Sequence, residues 1–363
     1  MNNPQQPLEY DAVLGGENQI SSSNDLKMTT ERAINLLKVG RAGIKAWNLF
    51  RKQETYLPSL EGVDLSGEDL TYANLQGVNL KNSKLVKANL AYADLINADL
   101  QEVDLSESNL TRANLQGVNL KNSKLVKANL TSANLINADL QEVDLSESNL
   151  NDANLEGVNF KNSKLVGAIL RYAKLINADL QEVDLSENDL TCANLKGVNF
   201  KNSKLVKANL TSANLINADL QEVDLSESNL TSANLINANL QGANLTNTTF
   251  PGSNFNEANL SKANLTGCIS FDGNSGERCN FKKADLSDAI FSQAKLYSCD
   301  LESANLTETK FDNANLAQAK LQNSIIANTS FLNTNLEGAD VTGTRFFLAY
   351  LNKGTNTNNI KGI

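Results

Sequence analysis

The 363 residues carry 32 basic and 41 acidic side chains, a formal net charge of −9, and no histidine. The missing histidine removes the commonest general base, and the four cysteines (Cys192, Cys268, Cys279, Cys299) lack the CxxC spacing of a zinc site, so neither metal nor cofactor is expected. The chain also lacks the run of 18 or more apolar residues that a membrane helix needs.

The N-terminal stretch MNNPQQPLEYDAVLGG has no basic start followed by an apolar run, so it does not read as a secretory signal and a cytoplasmic protein is expected. Residues 1–25 are polar and read as a disordered segment, with a short recognition segment around Leu8 to Leu14 as the alternative. Residues 26–56 read as one basic amphipathic helix, with Thr29 or Thr30 able to cap it. Ala33, Leu37, Gly40, Ile44, Trp47 and Phe50 recur there at three- and four-residue steps. An apolar face of Ile44, Trp47 and Phe50 would cover the strand edges that follow. The second reading is a surface, including Arg41 and Lys45, that binds a membrane or a partner.

Residues 57–266 repeat every five: a small residue, Asn or Asp, then Leu or Phe, then two variable positions. From Leu60 to Leu265 all 42 such centres keep the spacing, 38 of them Leu and four Phe. At about 100° per residue, a five-residue step would scatter these centres around a helix. In a strand, the centre and the small residue two before it share a face. Five is odd, so the chain must turn once per pentapeptide to keep successive centres inside, and the polar, Gly-containing positions supply that turn.

A longer period of forty residues relates 61–100, 101–140, 141–180 and 181–220. Forty is two coils of four pentapeptides. About 14 coils, at 4.7–4.9 Å each, give a rod of roughly 70 Å. Adding twenty aligns Asp64, Lys84, Asp104, Lys124 and their successors in one outer column, so opposite charges alternate along it. The clusters Lys81/Lys84/Lys87 and Lys121/Lys124/Lys127 read as solubility and register devices. Glu68 and Asn188 occupy inward positions where a small residue is expected.

Ala73-Asn74-Leu75, Ala88-Asn89-Leu90 and their many copies resemble the A(D/N)LxX signature of the pentapeptide-repeat family. The resemblance implies an all-β solenoid, a right-handed quadrilateral β-helix, here with an N-terminal α-helical cap. The family contains few known enzymes and many members of unknown role, and some regulate bacterial cells by binding proteins. Some relatives resemble DNA in shape and charge and act on type II topoisomerases. A helix containing a Trp, like the one here, occurs in some cyanobacterial members.

At 267–280 the register breaks. The sequence reads as one inserted residue near Ile269 or Ser270, with Phe271 as the next centre and Gly276 in place of another. Phe271, Asp272, Asn274, Glu277 and Arg278 are the candidate contacts in this loop. Cys279 and Cys299, twenty apart, are expected to stack inward as free thiols, and Cys192 to face outward. Residues 281–346 form a second rod section. Residues 347–363 read as a C-terminal cover followed by a disordered tail. Phe346, Phe347 and Tyr350 either cover the last coil or pair two rods weakly end to end.

Three functions compete at this stage. The first is a scaffold for another protein, and the second a DNA mimic that modulates a DNA-binding enzyme such as a type II topoisomerase. The third is a purely structural rod. Direct nucleic-acid binding is not expected, because acidic residues interrupt the lysines.

Overall fold

The computed structural model describes residues 28–53, 56–271 and 278–363. From Asp64 onward the chain is a ladder of isolated parallel bridges, each joining the residue before a centre to its equivalent twenty positions later, as in Asp64↔Lys84 and Asn74↔Asp94. Most pentapeptides make the same bonds. Leu75 donates its N–H to the Asp94 carbonyl at 2.7 Å, and Asp94 returns a bond to the Ala73 carbonyl at 2.9 Å. The small residue then closes the turn on the centre before it, as Ala73 does on the Leu70 carbonyl at 3.0 Å.

The second turn residue sits in the left-handed region, with φ near 57–60° at Asn82, Glu102 and Lys127 among many. Positive φ at that position alone, with the four-residue hydrogen bond, is the type II pattern. The Asn or Asp before each centre pins the turn from outside. Asp64 Oδ1 accepts from the Ser66 N–H at 3.0 Å, and Asn129 Oδ1 accepts from the Thr131 N–H at 3.1 Å. Neighbouring asparagines also bond along the rod, as Asn134 Nδ2 does to Asn114 Oδ1 at 3.1 Å. The polar letter of the repeat thus fixes both the corner and the coil-to-coil register.

Inside, the Leu, Phe, Ala and Val columns are buried from Leu60 to Val341. Several inward hydroxyls are satisfied across coils, as Ser123 is by the Leu100 carbonyl and Thr248 by the Leu225 carbonyl, whereas those of Ser108, Ser148 and Ser228 are buried without a hydrogen-bond partner. Glu68 is half-buried at the first coil. Among the described residues, the alternating Asp64–Lys84 column brings one pair within ion-pair distance, Lys164 and Asp144 at 3.9 Å. The other pairs form mostly between turn residues, such as Lys87–Glu107 at 3.5 Å and Lys127–Glu147 at 3.4 Å.

The single helix expected over 26–56 is two, α1 (Thr30–Lys38) and α2 (Arg41–Gln53). Gly40, at φ 71°, breaks them apart. Gly43 then lets α2 press on α1, because a Cβ there would meet the Leu36 carbonyl oxygen. Thr29 caps α1 by accepting from the Arg32 N–H.

Three further expectations are overturned. The insertion is six residues, not one: bridges step by twenty up to Thr249↔Ile269, then by twenty-six at Asn254↔Asn280 through Ile269↔Lys295, and return to twenty at Asn280↔Asp300. Ser270, buried and bonded through its N–H to the Lys295 carbonyl, takes the centre position, and Phe271 lies half-buried against Tyr297. The tail is ordered into the ladder, with bridges Ser330↔Tyr350, Asn335↔Asn356 and Asp340↔Lys361, because its Asn and Gly residues continue the turns. Cys279 and Cys299 are joined as a disulfide. The twenty-residue step brings their Cα atoms to 5.1 Å, inside the range such a bond requires. Cys192 is exposed as expected, and burial pushes the Cys268 thiol up.

Acid should loosen the outer columns. Hydrogen bonds from Ser66, Thr71 and Thr342 hold the Asp64, Asp69 and Asp340 carboxyls below their ordinary value. A carboxyl lowered in the folded chain contributes stability that is present above the unfolded value of about 3.9 and lost as pH falls through the folded value. The urea midpoint is expected to be flat from pH 7 to 5 and to drop below pH 4. An unchanged midpoint at pH 3 would show that these bonds contribute nothing.

Candidate interaction surfaces

The residues singled out from the sequence fall in three separate places. At the N-terminal end, Ile44, Trp47 and Phe50 are buried. Trp47 Nε1 donates to the Asn74 carbonyl at 2.8 Å, while Asn48 accepts from the Asn74 N–H and donates to the Tyr72 carbonyl. Arg51 donates to the Gln76 carbonyl. One turn of α2 thereby supplies donors and an acceptor where a preceding coil would have met this edge. Lys45 lines a shallow groove of about 310 Å³ with Asn48, Leu49 and Lys52. Arg41 is exposed, and its charge helps to hold the Asp69 carboxyl down, after the larger effect of the Thr71 hydrogen bond.

At the insertion, Arg278 is exposed, and Asp272, Asn274 and Glu277 lie outside the described residues. At the C-terminal end, Phe346 is buried and rests on Phe331, with ring centroids 5.9 Å apart. Phe347, 82% exposed, and Tyr350 point to solvent, and Tyr350 donates its hydroxyl to Asn328 Oδ1. Among the described residues, no group of three or more His, Cys, Asp or Glu side chains is placed to hold a metal.

Sequence reasoning missed a fourth place. The corner column of Tyr72, Tyr92, Arg112, Ser132, Asp152, Tyr172 and Cys192 does not alternate, whereas the neighbouring corner runs Lys87, Glu107, Lys127, Glu147. Tyr72 and Tyr92 stack at 5.0 Å, and Arg112 lies over Tyr92. Four coils further on, Val166, Ile169 and Tyr172 are 63%, 39% and 51% exposed. The signal was in the sequence, in the comparison of one coil with its own copies.

A continuous ladder of four five-residue sides around a Leu core defines the molecule as a quadrilateral β-solenoid. The chain belongs to the pentapeptide-repeat family: Pentapeptide repeats match in overlapping windows from residue 59 to 352, sparing only 87, 232 and 270–276. Proteins of this family are right-handed β-helices. Similar solved structures include HetL, a pentapeptide repeat protein involved in heterocyst differentiation regulation from the cyanobacterium Nostoc sp. strain PCC 7120. It is 30% identical over 64% of this chain and 89% of its own, with a TM-score of 0.32. Rfr23 from the cyanobacterium Cyanothece 51142 is 40% identical over 25% of this chain and 63% of its own, with a TM-score of 0.25. QnrB1, a plasmid-mediated fluoroquinolone resistance protein, is 18% identical over 58% of this chain and 90% of its own, with a TM-score of 0.33. A comparison with curated protein sequences found no match.

Proposed function

We propose that this chain is a non-catalytic scaffold that binds another protein on its outer surface. The observation that carries this reading is the division of the repeat. Inward positions are filled by Leu, Phe, Ala and Val that pack coil on coil, leaving the outside as the place where sequence varies. α1 and α2 close the N-terminal end, which supports reading them as a cover whose outer face, with Arg41 and Lys45, is free for contacts. The DNA-mimic reading is weaker. Lys81, Lys87, Lys121, Lys127 and Lys207 each pair with a glutamate along the corners, so among the described residues lysines interrupt the anionic groups along these corners. No described helix is long and apolar enough to cross a membrane.

The test is affinity capture from a lysate of the source organism with three baits, read by mass spectrometry. The baits are the full chain, a chain lacking residues 1–55, and one with 267–280 cut to a regular repeat. A partner retained by the full chain and lost with one alteration, while circular dichroism shows the rod intact, assigns the surface. No partner with any bait contradicts the scaffold.

A further inference from the structure

Residues 121–140 and 201–220 are identical, KNSKLVKANLTSANLINADL. The copy midway between them, 161–180, reads KNSKLVGAILRYAKLINADL. It differs at five positions within eight residues: Gly167, Ile169, Arg171, Tyr172 and Lys174. All five face outward, and the inward Leu165, Ala168, Leu170, Ala173 and Leu175 are unchanged. The changes remove one lysine, two asparagines and two hydroxyl side chains and add an aliphatic side chain, an aromatic one and two cations. Val166 is exposed in this coil, whereas its equivalents Val86, Val126 and Val206 are half-buried. Tyr and Arg are the residues most enriched at the energetic centres of interfaces. Unlike Tyr72 and Tyr92, Tyr172 has no ring stacked on it among the described residues, and Arg171 is held between its ring and Asp189.

The ladder is also open beside this patch. Between Asp64 and Ile269 one bridge of the series is missing, Lys164↔Asp184. Five rungs are absent with it: Asn162 to Gln181, Leu165 to Asp184, Gly167 to Ser186, Asp184 to Ser163, and Asp189 to Ala168. All five form at the equivalent places of both identical copies. An inward difference accompanies the gap. The inward residue of the next coil is Asn188, and its Nδ2 donates to the Leu165 carbonyl at 2.8 Å. Serine makes the same bond in another column, as Ser123 does to Leu100, but Ser108, Ser148 and Ser228, the forty-residue counterparts of Asn188 and one side-chain atom shorter, are buried without a hydrogen-bond partner. The longer amide reaches across to the neighbouring coil at the place where the rungs are missing.

Charge gives the occupant its chemistry. Lys161, Lys164, Arg171 and Lys174 stand against Asp179 alone in this coil of an acidic chain. Among the described residues, Lys161 and Lys174 have no carboxylate within ion-pair distance; of the equivalents of Lys161, Lys81 and Lys121 pair with Glu102 and Glu142, and Lys201, like Lys161, does not. At the opposite corner Gly167 replaces the lysine that would have faced Glu187, as Lys127 faces Glu147 and Lys207 faces Glu227.

We propose that the face of Val166, Ile169 and Tyr172, flanked by Glu187 at one corner and by Arg171 and Lys174 at the other, is a docking site for a segment of another protein. That segment presents a cation, then an aliphatic or aromatic side chain, then carboxylates. The proposal rests on the scaffold reading and names the place and chemistry of its partner.

The probe is a phage-displayed library of random dodecapeptides, selected on the full chain. A parallel selection uses a variant carrying Gly167→Lys, Ile169→Asn, Arg171→Thr, Tyr172→Ser and Lys174→Asn. This variant recreates a coil the rod already contains twice, so its melting curve is expected to match the native one. The expected result is enrichment on the native rod of sequences ordered basic, apolar, acidic. The best of these should bind the reverted rod at least about tenfold more weakly, the loss expected when an interface centre is removed. Carrying the five residues into 121–140 should add a second equivalent site. No enrichment over the reverted rod, or enriched peptides lacking acidic residues, overturns the proposal. A natural partner held equally by native and reverted rods also overturns it, and leaves the scaffold reading standing.

Discussion

Trp47→Ala is expected to destabilise the N-terminal end of the rod by about 3–5 kcal/mol, the usual cost of emptying a buried aromatic site. Trp47 is fully buried, its ring 6.0 Å from Phe50, and its indole N–H satisfies the Asn74 carbonyl. Removing it opens a cavity at the α2–coil contact and leaves that carbonyl without its donor. Asn48 and Arg51, on the same turn of α2, lose their anchor with it. Because each coil is stabilised mainly by its neighbours, the loss should stay local. Amides of 60–80 should lose protection from hydrogen exchange while those of 200–240 keep it. Trp47→Phe retains most of the packing and gives up one hydrogen bond, so its cost should be smaller, about 1–2 kcal/mol. Uniform loss of protection along the rod would contradict local stabilisation.

Phe281→Ala should be equally costly, about 3–5 kcal/mol, with a different outcome. Phe281 is the first centre after the six-residue insertion. Its ring stacks on Phe255 at 4.7 Å and meets Phe250 and Phe291 edge-on at 5.8 and 5.9 Å. This cluster joins the two rod sections where the ladder skips from twenty to twenty-six. Thinning it should uncouple them, so that one urea transition becomes two. Leu155→Ala, in a regular coil, is the control, with a loss of about 2–5 kcal/mol and a single transition. A single transition for Phe281→Ala as well would show that the backbone rungs, not the ring cluster, couple the sections.

Most of the architecture was legible because one physical rule repeats. The five-residue step predicts inward Leu and Ala, and the twenty-residue step predicts which outer residues stand beside one another, as in Asp104 beside Lys124. Departures from the rule were read less well, each for its own reason. Phe271 reads as a centre because it is large and apolar, yet the backbone register runs through Ser270, which a small buried hydroxyl can hold. Beyond Leu351 the tail lacks the repeating Leu centres and so reads as unstructured, but its Asn and Gly turns carry the rungs. The break between α1 and α2 depends on the positive φ of Gly40, invisible to a periodicity that counts Gly40 as one more step. Asn188 reads as an inward polar residue, but the sequence does not show the gap beside it. Its side chain is one atom longer than the serine at the counterpart positions 108, 148 and 228, and its amide bonds across the coil where theirs do not.

The most direct measurement is hydrogen exchange of 162–168 and 182–189 in the free chain, beside their equivalents 122–128 and 142–149, and 202–208 and 222–229. The central claim is that recognition in a rod of near-identical coils lies where the ladder departs from its rule. It predicts that the Asn162, Leu165, Gly167, Asp184 and Asp189 amides exchange much faster than their counterparts, and that Asn188→Ser restores their protection. Equal protection in all three places, or no change on Asn188→Ser, would contradict it.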